Sequence, residues 1–340
     1  MAENNETPCN ICPRKCQAVR TEHKGYCGAD ETILISRAAP HMWEEPCISG
    51  TKGSGTVFFS GCNLHCVFCQ NKAISGGGTG KAVDIDGLAR VFLELQAKKV
   101  YNINLVTPTH YSLKIREAVK KAREKGLILP VVFNCGGYED QETVRKLEDV
   151  VDIWMPDFKY MSKETSARYS HCPDYFEVAV KALDEMVRQI KEKGGAEFDN
   201  EGIMKRGVLV RHMMIPEHTG ESKRILRFLH ERYGDDIYIS IMSQYTPMPH
   251  ILADDTYPEL HQKVDMADYE RLVDFAVKIG IENAFIQEED VAAESFIPAF
   301  DCTDQPAVER RREGNTYYTR ESEKATAMDR NKKKERRCRR

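Results

Sequence analysis

Short apolar runs alternate with amphipathic segments from Thr56 to Gln287, and this alternation most constrains the fold. The runs are Thr56–Ser60, Ile103–Val106, Pro130–Asn134, Val151–Met155, Gly207–Met213, Ile237–Met242 and Ala284–Gln287. Between them, Leu88, Ala89, Val91, Phe92 and Leu95 recur at helical spacing. Ile115, Ala118, Val119 and Ala122 repeat it before the stop at Gly126. The stretches Phe176–Lys191, Glu221–Tyr233 and Ala267–Ile279 also read as helices. Strands alternating with helices in this way predict βαβ units and a parallel sheet. The alternation itself does not separate an open doubly wound sheet from a partial (β/α)6 barrel. Gly194–Lys205, with its paired glycines and polar residues, reads as a surface loop.

The chemistry is concentrated in Cys62-Asn63-Leu64-His65-Cys66-Val67-Phe68-Cys69, directly after the first apolar run. Three cysteines spaced C-x3-C-x2-C suit a [4Fe–4S] cluster with three protein thiolates. Such clusters ordinarily take four, so one iron is left open to a ligand, as in open catalytic metal sites. Zinc is the competing occupant. It requires a fourth ligand, and His65, the local candidate, is spaced too tightly for both cysteine pairs. Phe59, Leu64 and Phe68 are placed to shield the loop and tune its potential.

A second set precedes it: Cys9, Cys12, Cys16 and Cys27. Four thiolates fit a closed site, either a second [4Fe–4S] cluster or zinc. A cluster would serve electron delivery; zinc would staple a small head that lacks a core. Cys47, Cys135, Cys172 and Cys302 read as apolar residues, with a redox role for Cys47 as the alternative.

Twelve cysteines fit metal ligation in a reducing compartment better than disulfides. No apolar run is long enough to span a membrane, and the polar, acidic start lacks a signal-peptide core, so a cytoplasmic protein with no membrane association is expected. The net charge of −4 is uneven. Residues 309–340 carry 13 Lys and Arg against 6 Asp and Glu, which leaves the remainder at −11. An acidic body gives no electrostatic footprint for nucleic acid. The stretch 301–340 has almost no large aliphatic residues and reads as a disordered basic tail. The run Ser75-Gly76-Gly77-Gly78-Thr79-Gly80-Lys81 is no phosphate loop, because Ser75 and Ala82 stand where Gly and Ser or Thr are required. It reads as a flexible loop or a backbone surface for close cofactor approach.

The cluster loop, with its aromatic residue before the third cysteine, resembles the signature of radical S-adenosylmethionine (SAM) enzymes. Further blocks extend the likeness: Glu45–Gly50, Asn104–His110, Met155–Tyr160, Val210–Pro216 and Ser243–Tyr245. Together with the four-cysteine head they resemble a family named for its similarity to the pyruvate formate-lyase activating enzyme.

That resemblance implies a partial (β/α)6 barrel of the TIM-like radical SAM kind over 56–300, behind a cysteine-rich metal-binding head over 1–55. It implies a catalytic cluster on Cys62, Cys66 and Cys69, and SAM chelated through its amino and carboxylate groups. Reductive cleavage of SAM would then yield a 5′-deoxyadenosyl radical that abstracts hydrogen from a substrate. The substrate is a small molecule, or a glycine in a glycyl-radical enzyme partner, and a flavodoxin or ferredoxin supplies electrons.

SAM contacts are implied at Asp157 and Lys159, which match an Asp-x-Lys strand end, and at Arg211 in the fifth-strand block. Thr107 and Thr109, which with His110 follow the second strand, are candidates for the SAM amino group. Asn134, beside Gly136 and Gly137, and Gln244, beside Ser243 and Tyr245, complete the cofactor-binding set. Alternation sends one of Arg211 and His212 inward, and Arg211 is chosen. His218, His230 and His261 read as solvated. No catalytic residue is assigned. Family members resemble this chain to about Asp301, so the basic continuation reads as an accident of this sequence. An iron–sulfur electron-transfer or assembly protein without radical chemistry is the alternative from another class.

Overall fold

The computed structural model describes residues 8–287 and the strand 315–318. The head contributes β1 (Ile33–His41) and α1 (Pro46–Ser49). There follow β2 (Ser54–Phe59), α2 (Lys72–Ser75), β3 (Lys81–Val83), α3 (Ile85–Ala97), β4 (Ile103–Val106), α4 (Ser112–Glu124), β5 (Val131–Cys135), α5 (Gln141–Lys146) and β6 (Ile153–Pro156). The second half runs α6 (Lys163–Ser170), α7 (Tyr175–Glu192), β7 (Glu197–Phe198), β8 (Met204–Met213), α8 (Thr219–Tyr233), β9 (Tyr238–Met242), α9 (Pro249–Leu252), α10 (Met266–Lys278), β10 (Ala284–Gln287) and β11 (Asn315–Tyr318).

Each of the seven apolar runs overlaps a strand, and each of the five amphipathic patterns overlaps a helix. Helix starts are marked chemically. Asp84, Asp140, Ser162 and Asp265 each accept a hydrogen bond from a first-turn amide of α3, α5, α6 and α10.

Strands β2, β4, β5, β6, β8, β9 and β10 pair in that order, every pairing parallel. The order follows the chain without reversal, so there is no switch point of the doubly wound kind. Consecutive right-handed crossovers place their helices on one face. The burial pattern agrees. Val57, Leu105, Phe133, Trp154, Val210 and Ile241 pack with Phe92, Val119, Leu183, Leu229 and Leu272 of the helices. The alternate strand residues Val132, Ile153, Met155, Leu209 and Phe285 face the other way. Among the described residues, no crossover helix packs in that cluster. The strand residues close on one another and on Cys47 and Ile48 of α1, which plugs that inner face.

Three expectations change. The head, read as a small unit without a core, contributes a strand to the sheet: β1 pairs antiparallel with β2, and β3 with β1, at the sheet edge. The stretch 194–205 is not all loop, because Glu197–Phe198 pairs with β8, which already begins at Met204. Within the stretch read as disordered, Asn315–Tyr318 pairs antiparallel with β10, at the opposite edge. The rest of 301–340, including Cys302, lies outside the described residues.

Candidate functional site

Strand β2 is buried along its whole length and delivers the three-cysteine loop at its carboxyl end, where such folds build their sites. The Cys69 amide donates to the Cys66 carbonyl at 3.1 Å, and the Val67 amide to the Tyr169 carbonyl at 2.9 Å. The Leu64 amide points at Cys62 Sγ at 3.4 Å. The Ser170 hydroxyl donates to Cys66 Sγ at 3.0 Å and shares a 2.7 Å hydrogen bond with the Tyr160 hydroxyl. Phe59, Leu64 and Phe68 are all buried, and Phe68 sits edge-on to Tyr169 and Tyr245. Burial, reinforced by the neighbouring Cys66 and Cys69 sulfurs, pushes the Cys62 thiol up to about 12. Burial also raises Cys69, against the pull of Lys159. The Cys62 and Cys69 thiols therefore sit where bare thiolates are disfavoured and a group that neutralises them is favoured.

The head is docked on this loop. The Cys62 amide donates to the Cys27 carbonyl at 3.1 Å. A Cβ on Gly61, whose φ is +99°, would lie 2.6 Å from the Cys27 oxygen. Arg14, between two head cysteines, donates to the Asn63 carbonyl at 2.8 Å and the Ser170 carbonyl at 2.9 Å, and its guanidinium lies 4.2 Å from the Tyr26 ring centroid. Gly77 meets Gly28 backbone to backbone. The glycine run is thus a seat for the head. Within the head, Cys12 and Cys27 are buried and Cys16 is exposed. A Cβ on Gly25 would lie 3.3 Å from Cys16 Sγ and 3.5 Å from Cys27 Sγ, so those two sulfurs flank one small residue.

Beyond the cysteine loop, inward residues of successive strands converge. Asp157 Oδ2 accepts from Lys159 Nζ at 2.6 Å and its Oδ1 from Arg211 Nε at 3.0 Å. Arg211 also donates to Asn134 Oδ1 at 2.6 Å and pairs with Glu44 at 3.3 Å; Glu44 in turn accepts from Asn104 at 2.9 Å. Burial alone would raise the Asp157 carboxyl, but Lys159 and Arg211 outweigh it and hold the group below the usual carboxylate range. Burial would lower Lys159, yet Asp157 and Cys66 together raise it, so the ammonium is held charged near the cysteine loop.

Asn134, Asp157, Lys159 and Arg211 of the expected cofactor set therefore form one network, and His212 turns to the other face. Its Nδ1–H donates to the Phe158 carbonyl at 2.8 Å. Gln244 is nearby on another strand end, bonded to Gln287 at 3.1 Å, and its carbonyl accepts from Gln70 of the cysteine loop at 3.3 Å. Thr107 ends β4 in the left-handed region, at φ +55°. Thr109 does not join the network; its hydroxyl donates to buried Glu139 at 2.8 Å. His110 is held neutral by burial, with its pKa pushed down to about 3, and its Nε2–H donates to the Ser60 carbonyl at 2.8 Å.

Gly136 and Gly137 admit protein rather than open space: a Cβ on the first would meet Leu64 at 2.4 Å, and on the second the Asp157 carbonyl at 2.1 Å. Cys47, Cys135 and Cys172 are buried. His218 is half-buried. It contacts the Tyr169 hydroxyl at 3.1 Å and Glu221 at 3.6 Å, while His230 and His261 are half-buried. Sequence reasoning missed Glu44, Asn104 and Ser170 as site residues, and Glu45 as well. The one signal was that Glu45 and Asn104 fall inside the resemblance blocks.

The donor set fits an iron–sulfur cluster on the loop: a buried Cys66 between half-buried Cys62 and Cys69, with a cationic Lys159 beside them. Among the described residues, no three His, Cys, Asp or Glu side chains form a site for a single metal ion. This holds for the head thiols as well as for the loop thiols with His65. The His65 ring packs against Tyr26 at 5.0 Å.

A profile of the radical SAM superfamily matches residues 56–229. The uncharacterized protein MJ0674 of Methanocaldococcus jannaschii is 26% identical over 294 residues, covering 83% of this chain and 78% of that protein. Among solved structures, a radical SAM methyltransferase from Sphaerobacter thermophilus aligns with a TM-score of 0.48 at 12% identity, over 68% of this chain and 66% of that one. SuiB of Streptococcus suis, bound to its precursor peptide SuiA, aligns with a TM-score of 0.45 at 14% identity, over 68% and 47%. The chain spans less than two thirds of either structure's length.

Proposed function

The chain belongs to the radical SAM superfamily, and on that premise we propose that Cys62, Cys66 and Cys69 hold its catalytic [4Fe–4S] cluster, with SAM seated between them and the Asp157–Lys159–Arg211 network. Membership implies a cluster, SAM and an external reductant. The bound cluster supplies the electron for reductive cleavage of SAM and so for hydrogen abstraction from a substrate.

The protein's own work is positioning. Ser170 and the Leu64 amide donate to cluster-loop sulfurs, and Phe68, Tyr169 and Tyr245 keep water from them. Lys159 presents a positive charge towards the loop. Asp157, locked by Lys159 and Arg211, presents a fixed carboxylate. Asn134, Gln244 and Thr107 stand on the neighbouring strand ends, and Thr109 acts through Glu139. The consecutive strand order and the one-sided helices support a sheet curled into a partial (β/α)6 barrel, with α1 as its plug.

The head cysteines Cys9, Cys12, Cys16 and Cys27 are proposed to hold a second group. The Cys62–Cys27 hydrogen bond favours a cluster that passes electrons inward, because a zinc staple needs no such neighbour. A flavodoxin or ferredoxin is the proposed donor and the cytoplasm the proposed compartment; no described helix is long and apolar enough to cross a membrane.

Activation of a glycyl-radical enzyme, as in the pyruvate formate-lyase activating enzyme, requires an open mouth. Here the head reaches the cluster loop through Arg14 and Cys27, and α9 reaches it from another side, where His250 Nε2–H donates to the Val67 carbonyl at 2.8 Å. These covers favour a small-molecule substrate.

The observation that carries this reading is the three-thiol loop, buried at Cys66, that faces Lys159. Anaerobically reconstituted protein given SAM and a strong reductant should form 5′-deoxyadenosine, and Cys66→Ala should abolish it. A cluster on the loop without that product would favour the electron-transfer reading.

A further inference from the structure

Five ionisable side chains meet on the inner face: the acids Glu44, Glu45 and Asp157 and the bases Lys159 and Arg211. With all five charged, the group lacks one positive charge; an uncompensated buried charge is costly, and burial accordingly raises both the Glu44 and the Glu45 carboxyls. Two hydrogen-bond acceptors, one on Glu45 and one on Asn104, the partner of Glu44, also lack a donor. Asn104, 0% exposed, gives its amide to Glu44 and leaves its Oδ1 unpartnered. Glu45, 8% exposed, takes a hydrogen bond from Ser240 of β9 and leaves its Oε2 unpartnered. Buried acceptors are rarely left so.

We propose that Glu45 and Asn104, with Glu44, seat a primary ammonium group carried by the substrate. The missing charge and the two vacant acceptors ask for the same thing, a compact cation with several donors, and an ammonium has three. A water would satisfy the acceptors but not the charge. A proton shared by the two glutamates would neutralise the charge but leave Asn104 Oδ1 bare. Arg211 does not compete, since it is engaged by Asp157, Asn134 and Glu44.

The place suits a substrate. Glu44 and Glu45 lie between β1 and the plug α1, whereas Lys159 faces the sulfurs of Cys66 and Cys69. The ammonium seat is therefore across Arg211 from the cysteine loop. It rests on the reading above only in taking the inner face as the substrate side.

The test is calorimetric titration and thermal melting of the reconstituted holoprotein with n-butylammonium, tetramethylammonium and n-butanol. Binding and a raised melting temperature are expected with n-butylammonium alone. Glu45→Gln should weaken binding at least about tenfold, the loss of one charged hydrogen bond. Glu94→Gln, on the exposed side of α3, should change nothing. Cadaverine against a lysine-containing peptide then tells a free amine from a lysyl side chain. Equal binding of tetramethylammonium, no binding of n-butylammonium, or an unaltered Glu45→Gln affinity would overturn the proposal. So would an equal loss of SAM affinity in Glu45→Gln, which would assign the seat to the cofactor. Amine binding without 5′-deoxyadenosine formation would leave this inference standing and sink the cofactor reading instead.

Discussion

The amide of Cys62 donates to the carbonyl of Cys27 at 3.1 Å, so the first thiol of the three-cysteine loop and the last thiol of the head are joined through one backbone hydrogen bond. The two cysteine sets are one assembly, and the geometry of each depends on the other.

Gly77 holds that assembly together. A Cβ there would lie 2.3 Å from the Gly28 carbonyl oxygen, at φ +81°, and neither backbone has room to yield. Gly77→Ala should cost at least about 3 kcal/mol, left-handed strain plus the clash, and free the head to proteolysis. Gly202→Ala, also at positive φ but with nothing within 4 Å, should cost only about 1 kcal/mol. Chemical denaturation and limited proteolysis check both.

Ser170→Ala removes the donor to Cys66 Sγ and strands the Tyr160 hydroxyl. A hydrogen bond to a cluster sulfur stabilises the more negative, reduced state. The variant should lose about 1–2 kcal/mol of stability, and its reconstituted cluster should titrate at a more negative potential. An unchanged potential in a redox titration would place Ser170 outside the cluster's surroundings.

Arg211→Met leaves the carboxylates of Asp157 and Glu44 without their shared cation. The expected loss is about 3–5 kcal/mol, with SAM affinity falling alongside. Arg211→Lys restores charge but not the fork that reaches Asp157, Glu44 and Asn134 together, so it should fall between the two. Urea unfolding and equilibrium dialysis with SAM measure the pair.

Glu221 provides a pH signature. Burial acts to raise its carboxyl, but His218 and the amides of Ser162 and Met161 overcome it and lower the pKa to about 2. A depressed folded pKa means stability that is complete above the ordinary value near ~4.3 and is lost as pH falls towards 2. Glu221→Gln should therefore cost roughly 3 kcal/mol at pH 7 and progressively less below pH 4, as read by denaturation at a series of pH values.

Much was legible before any coordinate. Apolar runs and helical spacing are local, so Ile103–Val106 or Ala267–Ile279 declare themselves, and period-two alternation already separated Arg211 from His212. Strand β1 was harder to see: Arg37, Ala38 and Ala39 interrupt its apolar pattern, and its order comes from pairing with β2. Thr109 was placed correctly after its strand, yet its hydroxyl turns to Glu139, a partner thirty positions away that no local rule selects.

The chain by itself determined the seven-strand alternation and the two cysteine sets, because periodicity and spacing act over a few residues. Tertiary structure alone decided that Glu44 and Glu45, charged residues in a short connection and by composition fit for a surface, turn inward beside Arg211 and Ser240. A sheet whose helices all lie on one face must cover the other with something, and here the head's own segment does so, carrying two carboxylates into the interior with it.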